Sequence, residues 1–595
     1  MTPQQNDDLL LDTVSTTCDS GWVNRPNSKI IRRSLTIFIL LISLCELLRA
    51  QVPSASPKKP DEPATGVISG RVVSESGQPL SGAALFVRAV NSQGNSRTAT
   101  ADVEGNFRVS GLEPALYTVT SNVPAYTTVP SETGLPTYYR IGDTVNLELI
   151  RGGAITGTVT NSLGEPVIAV RVRATMVRDA RNEIPRVATT GEQQTDDRGV
   201  YRIYGLRPGT YIVSAGGPGF SPSFNPYEMD AATFAPSATR DNAAEVVVHS
   251  GDDATIDIRY RGEPGHSISG TTRGSGPNGV SITLTPAGST TPIATTFQAV
   301  DARGFAFNGI GDGEYELFAQ QATSNPTSPT LTLSVSEPKR VTVKGNDVTG
   351  IELVPRPLGS ISGRILIESS KIPECQGKRA PLLTEAIVRL QQPEKEPGAK
   401  EDFLQARMFT NAASPDATGA FVLRNLMAGK YRFEPLFYAR YWYLQSITTT
   451  TGAARPQKID AAANWTTLKS GEQLPNLTIT LTQGAASIRG RIPAPEGAAT
   501  PVGQSVFLVP AEPDKTEDVL RYFVSSVGED QTFTFNNLPP GKYLALLDSQ
   551  APAQAKLRQP EYSSTRATLR RRAEAKKSSI ELKPCQNLAD YQLKQ

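Results

Sequence analysis

The sequence predicts an all-β protein of five tandem antiparallel β-sandwich domains behind an N-terminal signal segment. Three observations carry this. One hairpin frame recurs five times, clearest in Asp196-Asp197-Arg198-Gly199-Val200-Tyr201-Arg202-Ile203-Tyr204-Gly205-Leu206-Arg207-Pro208-Gly209-Thr210-Tyr211. Here Asp and the Gly three residues on make a turn, Tyr201 and Ile203 alternate, and Gly205 to Gly209 turn the chain again into Tyr211. Gly supplies positive φ and Pro presets φ near about −65°, so the pattern is strand, tight loop, strand. Second, each frame lies between an Ile-x-Gly opening and a closing segment of strict apolar/polar alternation, the mark of a sheet with one face on a core. Third, Gly (49) and Pro (45) make up about 16% of the 595 residues, above the usual roughly 12%, as a turn-rich chain requires.

The frame returns at Asp102, Gly105, Phe107, Gly111-Leu112, Pro114 and Tyr117, and at Asp416, Gly419, Phe421, Asn425-Leu426, Gly429 and Tyr431. A looser copy runs Asp301, Gly304, Phe307, Gly309-Ile310, Gly313 and Tyr315, one residue shorter. The last keeps Phe533, Asn537-Leu538, Pro540-Gly541 and Tyr543, with Gly528 and Gln531 where Asp and Gly would sit. The openings are Ile68-Ser69-Gly70, Ile155-Thr156-Gly157, Ile268-Ser269-Gly270, Ile361-Ser362-Gly363 and Ile488-Arg489-Gly490, offset by 87, 113, 93 and 127 residues. Solenoid units are about 20–50 residues and cannot bury a core alone; units of this length can. Turns at Gly77-Gln78-Pro79-Leu80 and Gly164-Glu165-Pro166-Val167 lead into further alternating strands. Closing strands are expected at 145–149, 256–258, 351–353, 477–481 and 580–582. The expected domains are 66–150, 151–261, 262–356, 357–483 and 484–584, with a tail at 585–595. No long amphipathic helix is legible among them; 516–521 suits a turn or two.

Before the array, Arg32-Arg33 precede the apolar run 35–44, and Ala50 precedes Gln51. A positive flank, a short apolar stretch and a small residue fit a secretory signal peptide over 1–50 with a long n-region. The run is shorter than the about 20 residues of a comfortable span; a retained signal-anchor helix is the alternative. Residues 51–65, with Pro53, Pro57, Pro60 and Pro63, form a stiff spacer. The expected destination is outside the cytoplasm: periplasm, cell surface or extracellular space.

The Ile-x-Gly-Arg/Thr-Val opening, the Gly-x-Pro-Leu/Val turn and the Asp-x-x-Gly-x-Phe/Tyr…Gly-Leu-x-Pro-Gly-x-Tyr frame resemble carboxypeptidase regulatory-like domains. That family is a transthyretin-like, immunoglobulin-like sandwich, grouped with carbohydrate-binding-like folds and Cna protein B-type domains. The resemblance covers about residues 66–584 and is loosest in the third repeat, where Gly311-Asp312-Gly313 replaces Leu-x-Pro-Gly. It implies an exported bacterial envelope protein and a non-catalytic module, the companion of a zinc peptidase.

Candidate chemistry is sparse. His249 and His266 are the two histidines, and no His-x-x-Glu or His-Glu-x-x-His occurs, so the peptidase's zinc site is absent from the sequence. Gly274-Ser275-Gly276-Pro277-Asn278-Gly279 fits a dinucleotide loop literally, but an alternating strand follows where a helix is needed. The Asp-x-x-Gly turns offer two close carboxylates at most, against the five or more oxygens of a calcium loop. No Lys recurs on the opening strands, so the intramolecular isopeptide bond of some Cna-type domains is not expected. No cofactor is expected. Charge is balanced, 60 basic against 58 acidic residues, which points away from nucleic acid.

Cys375 and Cys585 are the two cysteines after the signal segment; spacing leaves a disulfide and two free thiols equally open. The richest surface candidate is Tyr438, Arg440, Tyr441, Trp442 and Tyr443 with Trp465, whose aromatic faces suit sugar rings or a partner protein. Alternation would send about half of that stretch to the core. Phe220, Phe224, Tyr227 and Phe234 form a weaker candidate in the second repeat's insert. The basic run Arg566, Arg570, Arg571, Arg572, Lys576 and Lys577 suits anionic lipid or polysaccharide, or a charged sheet edge that blocks pairing. The sequence is thus read as a non-catalytic exported binding or scaffold protein, extended in shape. Its expected partners are polysaccharide or envelope proteins, with membrane contact only through the signal segment where that segment is not cleaved. Carbohydrate binding by the aromatic patches of repeats four and two is the alternative.

Overall fold

The computed structural model describes residues 65–90, 96–129, 136–185, 189–219, 225–273, 279–300, 302, 304–325, 328–393, 412–451, 457–492, 503–549 and 552–593. The signal segment, nearly all of the spacer, Phe220, Phe224, Asp301 and most of the Gly274–Gly279 loop lie outside them. Each repeat is a pair of sheets. The first sheet centres on the opening strand, with the strand of the Asp-x-x-Gly frame antiparallel on one side. In repeat one Gly66–Ser74 lies between Asn106–Leu112 and Thr144–Arg151, and in repeat two Gly153–Thr160 lies between Val200–Leu206 and Asp253–Thr255. Repeat three sets His266–Thr272 between Phe305–Ile310 and Val348–Leu353. Repeat four sets Gly359–Glu368 between Ala420–Leu426 and Gln473–Gln483. Repeat five sets Ala486–Arg491 between Thr532–Leu538 and Asn587–Gln592. The closing strand runs parallel to the opening one in all five; alternation encodes a face, not a direction, so only coordinates reveal this. The second sheets pair the remaining hairpin strands, for example Arg171–Asp179 with Gly209–Ala215.

Between the sheets of each repeat lies a buried apolar cluster. Repeat two packs Ile155, Val159, Val172, Tyr201, Tyr211 and Val213 with their neighbours, and the others are organised alike. The recurring residues are the ones this geometry demands. A Cβ on Gly70, Gly157, Gly270 or Gly363 would overlap a carbonyl oxygen of the parallel closing strand, and on Gly490 it would collide with the Phe533 ring. The frame aromatic sits against the same glycine: Phe107 on Gly70, Tyr201 on Gly157, Phe421 on Gly363. The frame tyrosine forms a corner, its hydroxyl donating to the backbone carbonyl four residues back at 2.8 Å in Tyr117, Tyr211, Tyr315 and Tyr543, and 2.7 Å in Tyr431. The turn Asp accepts from two backbone N–H groups, those of Glu104 and Asn106 for Asp102, and of Arg198 and Val200 for Asp196. Such bonds favour the ionised carboxylate and hold Asp196 and Asp416 below the ordinary range, with side-chain donors from Arg198 and Thr418 leading. The residue before the frame Leu or Ile has positive φ in every repeat (Gly111, Gly205, Gly309, Asn425, Asn537), which is why only Gly and Asn occur there.

Three expectations are corrected. In repeat three Phe305, not Phe307, faces the opening-strand glycine, because the short copy is missing its residue ahead of the aromatic. In repeat five 580–582 is not the closing strand: Ser579–Leu582 pairs with Gly541–Asp548 in the second sheet, and Asn587–Gln592 closes the first. The unit therefore continues past 584, and 585–593 is part of its sheet rather than a tail. The basic run is not a strand edge but a helix, Ser563–Lys576. Arg566, Leu569 and Ala573 share its inner face and cover the outer side of Ser505–Pro510, with Phe507, Val509, Tyr522 and Leu546 beneath. That strand is buried on both faces, so it lacks alternation.

Candidate binding surfaces

The strand Trp442–Thr451 sets the phase of the aromatic stretch in repeat four. Trp442 is 1% exposed within that repeat's core, and its indole N–H donates to the Arg379 carbonyl at 3.1 Å. Tyr441 takes φ +66°, which turns it away from its neighbour's direction. It is half-buried beneath the Lys378 ammonium, 4.8 Å from the ring centroid. Tyr443 is half-buried, and burial pushes its phenol up. Tyr438 is 42% exposed. Trp465 is half-buried, donates to a Glu561 carboxylate oxygen of repeat five at 2.7 Å and faces the Arg432 guanidinium at 5.7 Å. Burial, with Arg558 and Arg566 nearby, pulls Arg432 down to about 10. The expected platform is therefore corrected: Trp442 is core and Trp465 is engaged with repeat five. What comes together is Tyr438, Arg440 and Tyr441, around a cleft of about 330 Å³ with Arg140, Arg379 and Glu385. Burial pushes the Glu385 carboxyl up, against the pull of Arg379 and Arg140.

Arg140 belongs to repeat one, and its guanidinium lies 4.9 Å from the Tyr438 ring of repeat four. Repeats one and four are thus in contact. In repeat two Tyr227 stands edge-on to Tyr260 at 5.6 Å, and Phe234 is half-buried in the strand Thr233–Phe234 beside Ser214. Cys375 and Cys585 are bonded to each other, joining repeats four and five. The charges of the basic helix are largely engaged. Arg566 donates to the Leu557 and Gln559 carbonyls at 2.7 Å each, Arg570 pairs with Glu574 at 2.9 Å, and Arg572 pairs with Asp548. Among the described residues no three His, Cys, Asp or Glu side chains gather where they could hold a metal ion.

Sequence reasoning missed how the repeats meet. The positive-φ corner of each later repeat docks on its predecessor. Gly205 lies against Gly152, whose N–H donates to the Ala125 carbonyl of repeat one at 2.8 Å. Gly309 packs so closely on the Glu228 carbonyl of repeat two that a Cβ would overlap it. Asn425 accepts from the Leu333 N–H of repeat three at 3.3 Å. The Asn537 amide donates to the Ala439 and Trp442 carbonyls of repeat four at 2.7 Å each. Val519 and Leu520 of repeat five complete the core of repeat four. The signal was the change from Gly to Asn, which keeps the backbone conformation and adds an amide able to reach across.

Two stretches, 67–138 and 154–261, match the carboxypeptidase regulatory-like domain. No curated protein matches the chain. Similar solved structures include a minor pilin of Streptococcus agalactiae, 11% identical over 33% of this chain and 96% of the pilin, TM-score 0.19. Two B repeat units of the collagen-binding protein of Staphylococcus aureus are 13% identical over 71% of this chain and 100% of theirs, TM-score 0.13. The TIE protein of Bacillus anthracis is 11% identical over 76% of this chain and 80% of its own, TM-score 0.14. With scores this low the fold rests on the sheets themselves. The opening glycines, turn aspartates and corner tyrosines of repeats one and two lie within the two stretches, 67–138 and 154–261, that are similar to the carboxypeptidase regulatory-like domain.

Proposed function

We propose that the chain is an exported, non-catalytic scaffold of five sandwich domains, presenting a fixed surface to envelope or extracellular proteins. The observation that carries this reading is the repeated docking corner, Gly205, Gly309, Asn425 and Asn537, each seated on the preceding repeat. Links are also short: Gly152 alone separates the sheets of repeats one and two, and Gly484-Ala485 those of four and five. Short links and docked corners restrict domain motion, which is what a scaffold needs and a flexible tether lacks. The Cys375–Cys585 bond supports export, since disulfides persist in oxidising compartments. Among the described residues no helix is long and apolar enough to cross a membrane. Polysaccharide as a partner rests on Tyr438, Arg440 and Tyr441 alone, and pull-down signal that survives Tyr441→Ala would remove that support.

Cell fractionation with thiol labelling tests the main reading. The protein is expected outside the cytoplasm, starting near Gln51, with Cys375 and Cys585 unreactive until reduced. A cytoplasmic chain with both thiols labelled overturns export. Reproducible hydrolase or peptidase turnover removed by a point mutation overturns the non-catalytic role.

A further inference from the structure

A cavity of about 190 Å³ lies where repeat three and the insert of repeat two cover the outer face of repeat two's second sheet. Arg173, Thr175 and Ser214 line it from that face. A sheet face with these residues would ordinarily meet water, yet all three are more than nine-tenths buried. Arg173 is held by Glu192 at 3.1 Å and by the Ile293 carbonyl of repeat three, also at 3.1 Å. Arg240, from the short turn Arg240–Asn242 of the insert, also lines it, near the corner tyrosine Tyr315. Among the described residues no carboxylate lies within ion-pair distance of the Arg240 guanidinium, and neither the Thr175 nor the Ser214 hydroxyl has a hydrogen-bond partner. The two hydroxyls, on buried residues, and the half-buried Arg240 guanidinium line one cavity and mark a place for a polar occupant.

The lining selects its chemistry. Arg173 is paired with Glu192, Arg261 with Glu263, and Asp312 lies beside His266, so among the described residues Arg240 is the lining guanidinium without an ion pair. One such guanidinium suits a monoanion better than a phosphate dianion. A planar guanidinium matches a carboxylate in two parallel bonds, and two hydroxyls suit hydroxyl groups of the ligand. Phe234, Ile293 and Ile310 give the remaining wall an apolar character. The space has room for one small molecule. We propose that this cavity binds a small hydroxylated carboxylate, such as a sugar acid, with its carboxylate on Arg240 and its hydroxyls on Ser214 and Thr175. The site is independent of the scaffold reading: it would bind its ligand whatever the array displays.

Isothermal titration of the whole chain with D-glucuronate and D-gluconate tests it, with D-glucose and inorganic phosphate as controls. At least one acid is expected to bind, and glucose, lacking the carboxylate, to bind at least about tenfold more weakly. Arg240→Gln is expected to weaken binding at least about tenfold with an unchanged melting temperature. Ser214→Ala should weaken it about threefold or more, and gives the readout if Arg240→Gln folds poorly. No heat from either acid at about 10 mM overturns the proposal, as does equal binding by both variants. Phosphate binding more tightly than both acids overturns the assignment of a carboxylate.

Discussion

Gly157→Ala is expected to destabilise repeat two by more than about 4 kcal/mol, a size reached only through a few mechanisms such as core overpacking. The added methyl would overlap the Ile256 carbonyl oxygen, which already accepts the Tyr201 hydroxyl at 2.6 Å. Neither atom can swing aside as a flexible side chain would. Relief requires separating the parallel pair, and with it the bonds joining Gly153–Thr160 to its closing partner. Gly164→Ala is the internal control. Gly164 has φ +82° and no atom near its would-be Cβ, so that change should cost only about 1–2 kcal/mol of backbone strain. Urea unfolding followed by hydrogen exchange, read at repeat-two amides, separates the two. Equal effects at both glycines would mean that close approach of the closing strand is not what fixes Gly157.

Trp442→Ala is expected to cost about 3–5 kcal/mol, as truncation of a buried Trp does, and to act on repeat four rather than on a binding surface. The side chain is one of the largest fully buried in the protein, and its loss also leaves the Arg379 carbonyl without its donor. Tyr441→Ala, which removes a half-buried ring, should change stability far less. Guanidinium unfolding of both variants is the check, with intact stability in Trp442→Ala as the contradicting result. Because Val519 and Leu520 share that core, repeat five should lose stability along with repeat four.

The parts of the fold legible in the sequence are those set by single residues with one conformational use. Gly205, Gly209 and Tyr211 specify turn and corner wherever they recur, and the alternation around Ile203 specifies a buried face. What escaped depends on partners distant in the chain. The helix Ser563–Lys576 has a weak apolar face because a cation, Arg566, occupies its inner side, satisfied by the Leu557 and Gln559 carbonyls. The closing strand Asn587–Gln592 is half-exposed, and Asp590 at φ +56° interrupts its alternation. The Trp442 face was undecidable from alternation alone, since the positive φ of Tyr441 resets the phase just before the strand starts. The cavity between repeats two and three left no sequence signal: Arg173, Ser214, Arg240 and Tyr315 converge only because repeat three covers a sheet of repeat two.

The account stands on separate apolar interiors within the array, of which that of repeat two is drawn from its own residues. The most direct measurement is thermal and urea unfolding of residues 153–261 expressed alone, followed by far- and near-ultraviolet circular dichroism. A single cooperative transition, with fixed near-ultraviolet signals from the buried Tyr201 and Tyr211, is the predicted result. A fragment that stays unfolded, or binds dye as a loose globule without a transition, would show that the interior forms only when the repeats merge, and would contradict the account.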